Sequence, residues 1–92
     1  MNIDKVLEAR GNVHGPAELQ FELAQHLKQI IRAANPALPL TCQETLDMLA
    51  VKIARIVVGD PMFDDHWLDI EGYARRMRQI IEDNRSKGVN RA

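Results

Sequence analysis

The stretch TCQETLDMLAVKIARIVVG, residues 41 to 59, decides the fold of this chain. Its apolar residues recur every three or four positions and cover about half of a helix surface at roughly 100° per residue, which predicts an amphipathic helix. Met48, Val51 and Val58 extend the apolar surface beyond that half. A helix that is apolar around so much of its circumference is expected at the centre of a helical bundle or against a second subunit.

Both ends of this central helix carry signals of their own. Thr41 and Glu44 have the T-x-x-E spacing of a capping box, so the helix is predicted to begin at Thr41. Gly59 is predicted to end it, because glycine readily adopts the left-handed conformation that is common just past a helix terminus.

A helix is predicted on each side of the central one. The first runs from about Pro16 to Ala34, since proline suits the first helical turn. The other begins with Asp64 or Asp65 as its N-cap and continues to about Asn84. Their apolar stripes are Leu19, Leu23, Leu27, Ile30, Ile31 and Ala34 in the first, and Trp67, Ile70, Tyr73, Ala74, Met77, Ile80 and Ile81 in the other. Trp67 is expected to anchor the core.

These elements define one small domain. No period-two alternation indicates a strand, so the predicted fold is all-α: three main helices, a short N-terminal helix at residues 2 to 9, and completion by oligomerisation. Residues 1–84 form the helical domain, and residues 85–92 are expected to be a mobile basic tail.

Composition excludes several classes of function. The net charge of −1 argues against nucleic-acid binding that depends on clustered cations, and the arginines near the C-terminus fit a solvated helix face. A single cysteine, Cys42, provides no disulfide framework. The sequence has no pattern of a signal peptide and no apolar run of about 20 residues, so a cytoplasmic location and no membrane association are expected.

Charged residues of the central helix cluster on one side. Glu44, Asp47, Lys52 and Arg55 fall within an arc of about 140°, which we call the polar arc. The sequence leaves open whether the polar arc faces water or lines a groove that takes a charged ligand.

The third helix has polar residues within its apolar stripe. His66 lies at the centre of that stripe, with Asp69 three residues later and Tyr73 four after that. A carboxylate one turn from an imidazole orients it or raises its proton affinity, although a local hydrogen bond would also explain this histidine. Gly72 costs helix stability, which suggests the close approach of another helix or of a ligand.

The loop RGNVHG, residues 10 to 15, contains two further candidates, Arg10 and His14. Its backbone N–H groups precede a helix N-terminus and could bind an anion, or the loop could be a plain turn. A zinc site formed by His14, His26 and His66 has no supporting ligand spacing.

The motifs RG…HG (10 to 15), LDMLAVKIARI (46 to 56) and DHWLDIEGYA (65 to 74) together resemble a family of small phage and prophage proteins. That family is grouped with the nucleotide-modification-associated domains, which are similar to the all-α, MazG-like nucleoside triphosphate pyrophosphohydrolases. The resemblance implies an all-α domain that oligomerises and acts in a nucleotide-related context. The polar positions shared with the family are Arg10, Gly11, Gly15, Lys52, Arg55, Asp65, Asp69, Gly72 and Tyr73.

Three functions follow as hypotheses. The first is binding of a nucleotide-like or phosphate-bearing ligand, as in a sponge for a nucleotide signal, with Arg10, His14, Lys52, Arg55, His66, Asp69 and Tyr73 as the binding residues. The second is a phage-encoded interaction module that docks on a host protein. The third is a Mg²⁺-dependent pyrophosphohydrolase, for which Glu44, Asp47 and Asp69 are the metal candidates, although the paired acidic motifs of that class are incomplete here.

Overall fold

The computed structural model describes residues 2–5, 7 and 15–88. Within these ranges the chain forms three long helices, α1 (Ala17–Ala34), α2 (Leu40–Val58) and α3 (Asp64–Ser86), while residues 3–5 and 7 are also helical. No strand occurs in the described ranges, so the predicted all-α fold is confirmed. None of the described helices combines the length and the apolar character needed to cross a membrane.

The three long helices lie side by side in one layer, with α2 in the middle. Both α1 and α3 pack against α2, but among the described helices these two do not pack against each other. Asp47 of α2 bonds to α1, whereas Thr45 and Lys52 bond to α3. These positions project from roughly opposite sides of α2, which places its neighbours on opposite sides. The Cα radius of gyration is 16.1 Å, against about 12 Å for a compact domain of this length.

The predicted helix starts were each displaced by a residue or two. The Thr41–Glu44 capping box is wrong: α2 begins at Leu40 with Pro39 as its N-cap and has no side-chain cap. Pro39 has φ −52° and its carbonyl accepts a hydrogen bond from the Gln43 N–H at 2.9 Å, so the first turn closes before Thr41 can cap it.

The cap predicted for α3 is also wrong. Phe63 is the N-cap, and Asp64 and Asp65 lie inside the first helical turn. There the two carboxylates complement the positive end of the helix dipole without capping a backbone N–H. At the other end α3 continues to Ser86, beyond the expected Asn84, and residues 89–92 of the predicted tail lie outside the described residues.

Short turns connect the three long helices. In the first, the Asn35 Oδ1 accepts a hydrogen bond from the Ala37 N–H at 3.0 Å. In the second, the Asp60 Oδ1 accepts one from the Met62 N–H at 2.9 Å. Gly59 follows α2 as predicted, but its φ of −105° is not left-handed. The turn obtains its direction from Asp60 and Pro61, whose side chains favour a turn on their own.

The apolar stripes of α1 and α3 are wider than the surfaces with which these helices contact α2. Among the described residues the buried apolar side chains are few and mostly small: Ala24, Ala50, Ala54 and Ile56. On α1 the buried side is centred on Gln20 and Ala24, so Leu19 and Ile30 are left exposed.

The prediction that Trp67 anchors the core is wrong. The residue is 52% exposed, and its indole N–H donates a hydrogen bond to the Pro61 carbonyl at 2.8 Å. His66, the adjacent residue, faces α2 instead, and one step along a helix turns a side chain by about 100°. Trp67 therefore lies on the flank of α3.

The exposed parts of the three stripes lie on the same side of the layer. Because neighbouring helices are antiparallel, helical geometry places the flanks that remain exposed on the side opposite the polar arc. We call this surface the apolar face. It consists of Leu19, Ile30, Ile53, Val57, Trp67 and Ile81.

Two glycines test this packing in opposite ways. Gly15 has φ +81°, and a Cβ there would collide with the backbone carbonyl of Val58 at the end of α2. Gly72 lies in α3, where a Cβ would meet no described atom within 4 Å, so the close approach expected from the sequence is not present.

We expect Gly15→Ala to lower the free energy of unfolding by about 2 kcal/mol or more, because it adds strain and a clash. Its matched control, Gly72→Ala, should raise the free energy of unfolding by about 0.5–1 kcal/mol, because alanine is the better helix former. Urea denaturation measures both. Equal effects of the two substitutions would contradict this account of the contact between Gly15 and Val58.

Candidate functional site

Four of the predicted ligand-binding residues come together where α2 ends and α3 begins. Lys52 and Arg55 lie in the last two turns of α2, and His66 and Asp69 lie in the first two turns of α3. The antiparallel arrangement of the two helices brings these pairs face to face. We call Lys52, Arg55, His66 and Asp69 the Lys52 cluster.

An ion pair joins the two helices within this cluster. The Lys52 Nζ lies 2.8 Å from the Asp69 Oδ2, and the side chains are 11% and 43% exposed, respectively. Hydrogen bonding to Lys52 is the main cause that holds the pKa of Asp69 below its usual value. An ammonium group this buried needs a partner of opposite charge. Asp69 supplies that partner and keeps part of its carboxylate open to solvent.

Arg55 is the cation of the cluster with an unsatisfied group. Its Nε is buried and has no hydrogen-bond acceptor among the described residues. Its position in the last turn of α2 explains a positive charge there, because cations stabilise the negative end of a helix dipole. That position does not explain the unsatisfied N–H, since buried donors in folded proteins are normally hydrogen-bonded.

His66 is almost completely buried, at 2% exposure, in the contact between α2 and α3. The edge of the Phe63 ring packs against its imidazole, with 5.0 Å between ring centroids. Burial lowers the pKa of His66, and the charges of Lys52 and Arg55 lower it further, against the opposing effect of Asp69 and Asp65. His66 is therefore neutral at pH 7. The cluster as a whole carries two cations and one carboxylate, which leaves one excess positive charge.

The structure divides the polar arc between two contacts. Asp47 faces α1, where its carboxylate lies 3.2 Å from the Arg32 guanidinium and accepts a hydrogen bond from Gln43. Lys52 faces α3 instead, and Glu44 is exposed. The side chains of the arc therefore do not line a single groove.

The candidate metal ligands do not converge. Asp47 and Asp69 are bound to different cations in different helix contacts, and Glu44 is exposed. Within residues 2–5, 7 and 15–88, no group of three or more His, Cys, Asp or Glu side chains is arranged to hold a metal ion. For the zinc hypothesis, His26 is exposed on α1 and His66 is buried against α2, while His14 lies outside the described residues.

The other predicted site residues are Tyr73, Arg10 and His14. Tyr73 is half-buried on α3, one turn beyond Asp69 and on the same side of the helix. Arg10, like His14, lies outside the described residues. Sequence reasoning missed Phe63 as a neighbour of His66. The spacing of three residues across a helix start was the available signal, because such residues share one side of the first turn.

No protein-family model matches this chain, and neither does any curated protein or solved structure.

The burial of His66 should make the fold sensitive to acid. As the pH falls through 6.5, the ordinary pKa of histidine, the unfolded chain binds a proton that folded His66 resists, so stability should decrease. Asp69 contributes in the same direction only at lower pH, because its lowered pKa gives stability that is lost below its ordinary value of 3.8.

We expect the melting temperature to decrease between pH 7.5 and 5.5, and His66→Gln to remove most of that decrease. His26→Gln, at an exposed position of α1, is the control and should keep it. Thermal denaturation followed by circular dichroism measures the three slopes. An unchanged slope in His66→Gln would mean that another group senses the acid.

Proposed function

We propose that this chain binds a phosphate-bearing, nucleotide-like ligand at the Lys52 cluster. The observation that carries the proposal is the buried Arg55 Nε, which has no acceptor among the described residues. A phosphate oxygen is a suitable acceptor, because the guanidinium group matches phosphate in both charge and geometry.

The charge of the cluster supports an anion in particular. The two cations of the cluster exceed its one carboxylate by one positive charge, whereas Asp64 and Asp65 already complement the positive end of the α3 dipole. A ligand phosphate would therefore be favoured beside Arg55 even though Lys52 is already paired.

The neutral and acidic members of the cluster suit the rest of a nucleotide. Asp69 is 43% exposed and accepts hydrogen bonds, as a sugar hydroxyl would require. Tyr73, one turn further along α3, offers an aromatic ring near the same side of the helix. The proposed ligand thus extends from Arg55 along α3.

The proposal is for binding without catalysis. Magnesium-dependent hydrolysis of a nucleoside triphosphate requires carboxylates that share a metal ion, and Glu44, Asp47 and Asp69 are separated. Sequestration of a nucleotide signal, as by a phage-encoded sponge, needs only affinity. This role is the form of the proposal that the resemblance to phage proteins favours.

A thermal-shift screen tests the proposal with inorganic phosphate, pyrophosphate, mononucleotides, nucleoside triphosphates and cyclic dinucleotides. A ligand present at 100 times its Kd should stabilise the fold by about 2.7 kcal/mol. Arg55→Gln should weaken that ligand by about tenfold or more in calorimetric titration, because one charged hydrogen bond is lost.

Arg75→Gln is the matched control, since it removes the same charge from an exposed position of α3. It should leave the affinity unchanged within about twofold, because an exposed charge is screened by solvent and salt. The absence of any stabilising ligand at millimolar concentration, or equal losses in both variants, would count against the proposal.

A second candidate is docking on a host protein. The observation that favours it is the exposure of Met62 and Trp67 together at the turn between α2 and α3. Aromatic and methionine side chains are enriched at protein interfaces. Capture of a host protein by the wild-type chain, lost in Met62→Glu but retained in Arg55→Gln, would separate this function from ligand binding.

A further inference from the structure

The apolar face is partly exposed to solvent on all three long helices. Its six side chains are each 41–66% exposed, and every one of the three long helices contributes two of them. None of the six carries a charge. Scattered exposed apolar residues are ordinary on protein surfaces, but a set aligned on one side of three adjacent helices is not.

A single layer of helices cannot build a sufficient core. Stable domains bury the apolar sides of their elements between at least two layers. In the described part of the chain the buried apolar side chains are three alanines and one isoleucine, and alanine contributes little apolar area. The chain therefore needs a second layer against the side that carries Ile53 and Val57.

We propose that a second copy of this chain covers the apolar face, so that two layers pack face to face as a homodimer. The available area supports this occupant. Each side chain of the face exposes roughly 100 Å², so pairing two copies would remove about 1,200 Å² from solvent, the lower limit for a stable interface. Residues around the six would add to that area.

A copy of the same chain also fits the chemistry of the face better than a partner of different composition. The six side chains of the face are uncharged, so they can pack against the same six of another copy. A core this small needs further burial of apolar surface as soon as the chain folds. A second copy of the chain is always present to provide it. A homodimer is thus the simplest way to complete the core.

The arrangement leaves the Lys52 cluster accessible. Lys52 and Arg55 belong to the polar arc, which lies on the side of the layer opposite Ile53 and Val57. The dimer would therefore present two ligand sites on its outer surfaces. The inference about the dimer does not rest on ligand binding.

Sedimentation equilibrium over a dilution series tests the proposal against the chain mass of 10.4 kDa. The wild type should have twice that mass, and Val57→Lys should raise the dimer Kd by about a hundredfold or more, because it places a charge in an apolar interface. Leu68→Lys is the matched control. Leu68 is 57% exposed, close to the 66% of Val57, but it lies on the outer side of α3 and should leave the dimer intact.

Trp67, the single tryptophan of the chain, gives an independent readout on the same face. Its fluorescence should be protected from acrylamide in the wild-type dimer and quenched in the Val57→Lys monomer. If Val57→Lys does not fold at any concentration, Ile30→Lys at the other end of the face should still weaken the dimer.

Several results would overturn the proposal. A monomeric wild type would overturn it. Quenched Trp67 fluorescence would then mean that the apolar face is bare, and protected fluorescence would mean that another part of the chain covers it. A dimer that persists in both Val57→Lys and Ile30→Lys would also overturn it, because that dimer must use a different face. Equal dissociation by Leu68→Lys would show that the effect is not specific to the apolar face.

Discussion

Every contact between the long helices passes through α2, because α1 and α3 lie on its opposite sides and do not meet among the described residues. This constraint explains the unusual composition of α2. A helix with two neighbours must present small or apolar side chains on both sides, as Ala50, Ala54 and Ile56 do. It also explains why so little of the remaining apolar surface is buried, since neither outer helix packs against a second one of the described long helices.

The two contacts of α2 differ in chemistry. Towards α1 the buried side chains are mainly small, and the ion pair between Arg32 and Asp47 lies at the edge. Towards α3 the contact contains a buried histidine and an almost buried lysine. Buried polar groups are costly unless they are paired. Lys52 meets this requirement through Asp69, whereas the Nε of Arg55 does not meet it within the described residues. The contact with α3 therefore contains both a paired and an unsatisfied buried cationic group.

The failures of sequence prediction have two causes. The positions of the helices followed from periodicity and from the signals at Pro16 and Gly59. The predicted N-caps were wrong because a sequence motif does not reveal which residue closes the first helical turn. Pro39 takes that position before Thr41, and Phe63 takes it before Asp64 and Asp65. The prediction for Trp67 was wrong because an apolar stripe indicates the apolar side of a helix but not how much of that side a neighbouring helix covers. Lys52 and Asp69 were both predicted as ligand-binding residues, but the division of the polar arc between two contacts was not predicted.

The sequence by itself determined an all-α chain, the three helical segments and the residues with unusual polarity in them, because these depend on local spacing along the chain. Only the tertiary structure decided that the helices form one layer, that His66 rather than Trp67 faces α2, and that Arg55 retains a buried donor. These features depend on the rotation of each helix about its axis. That rotation is set by packing against α2, where a difference of one residue turns a side chain by about 100° from a contact to the surface.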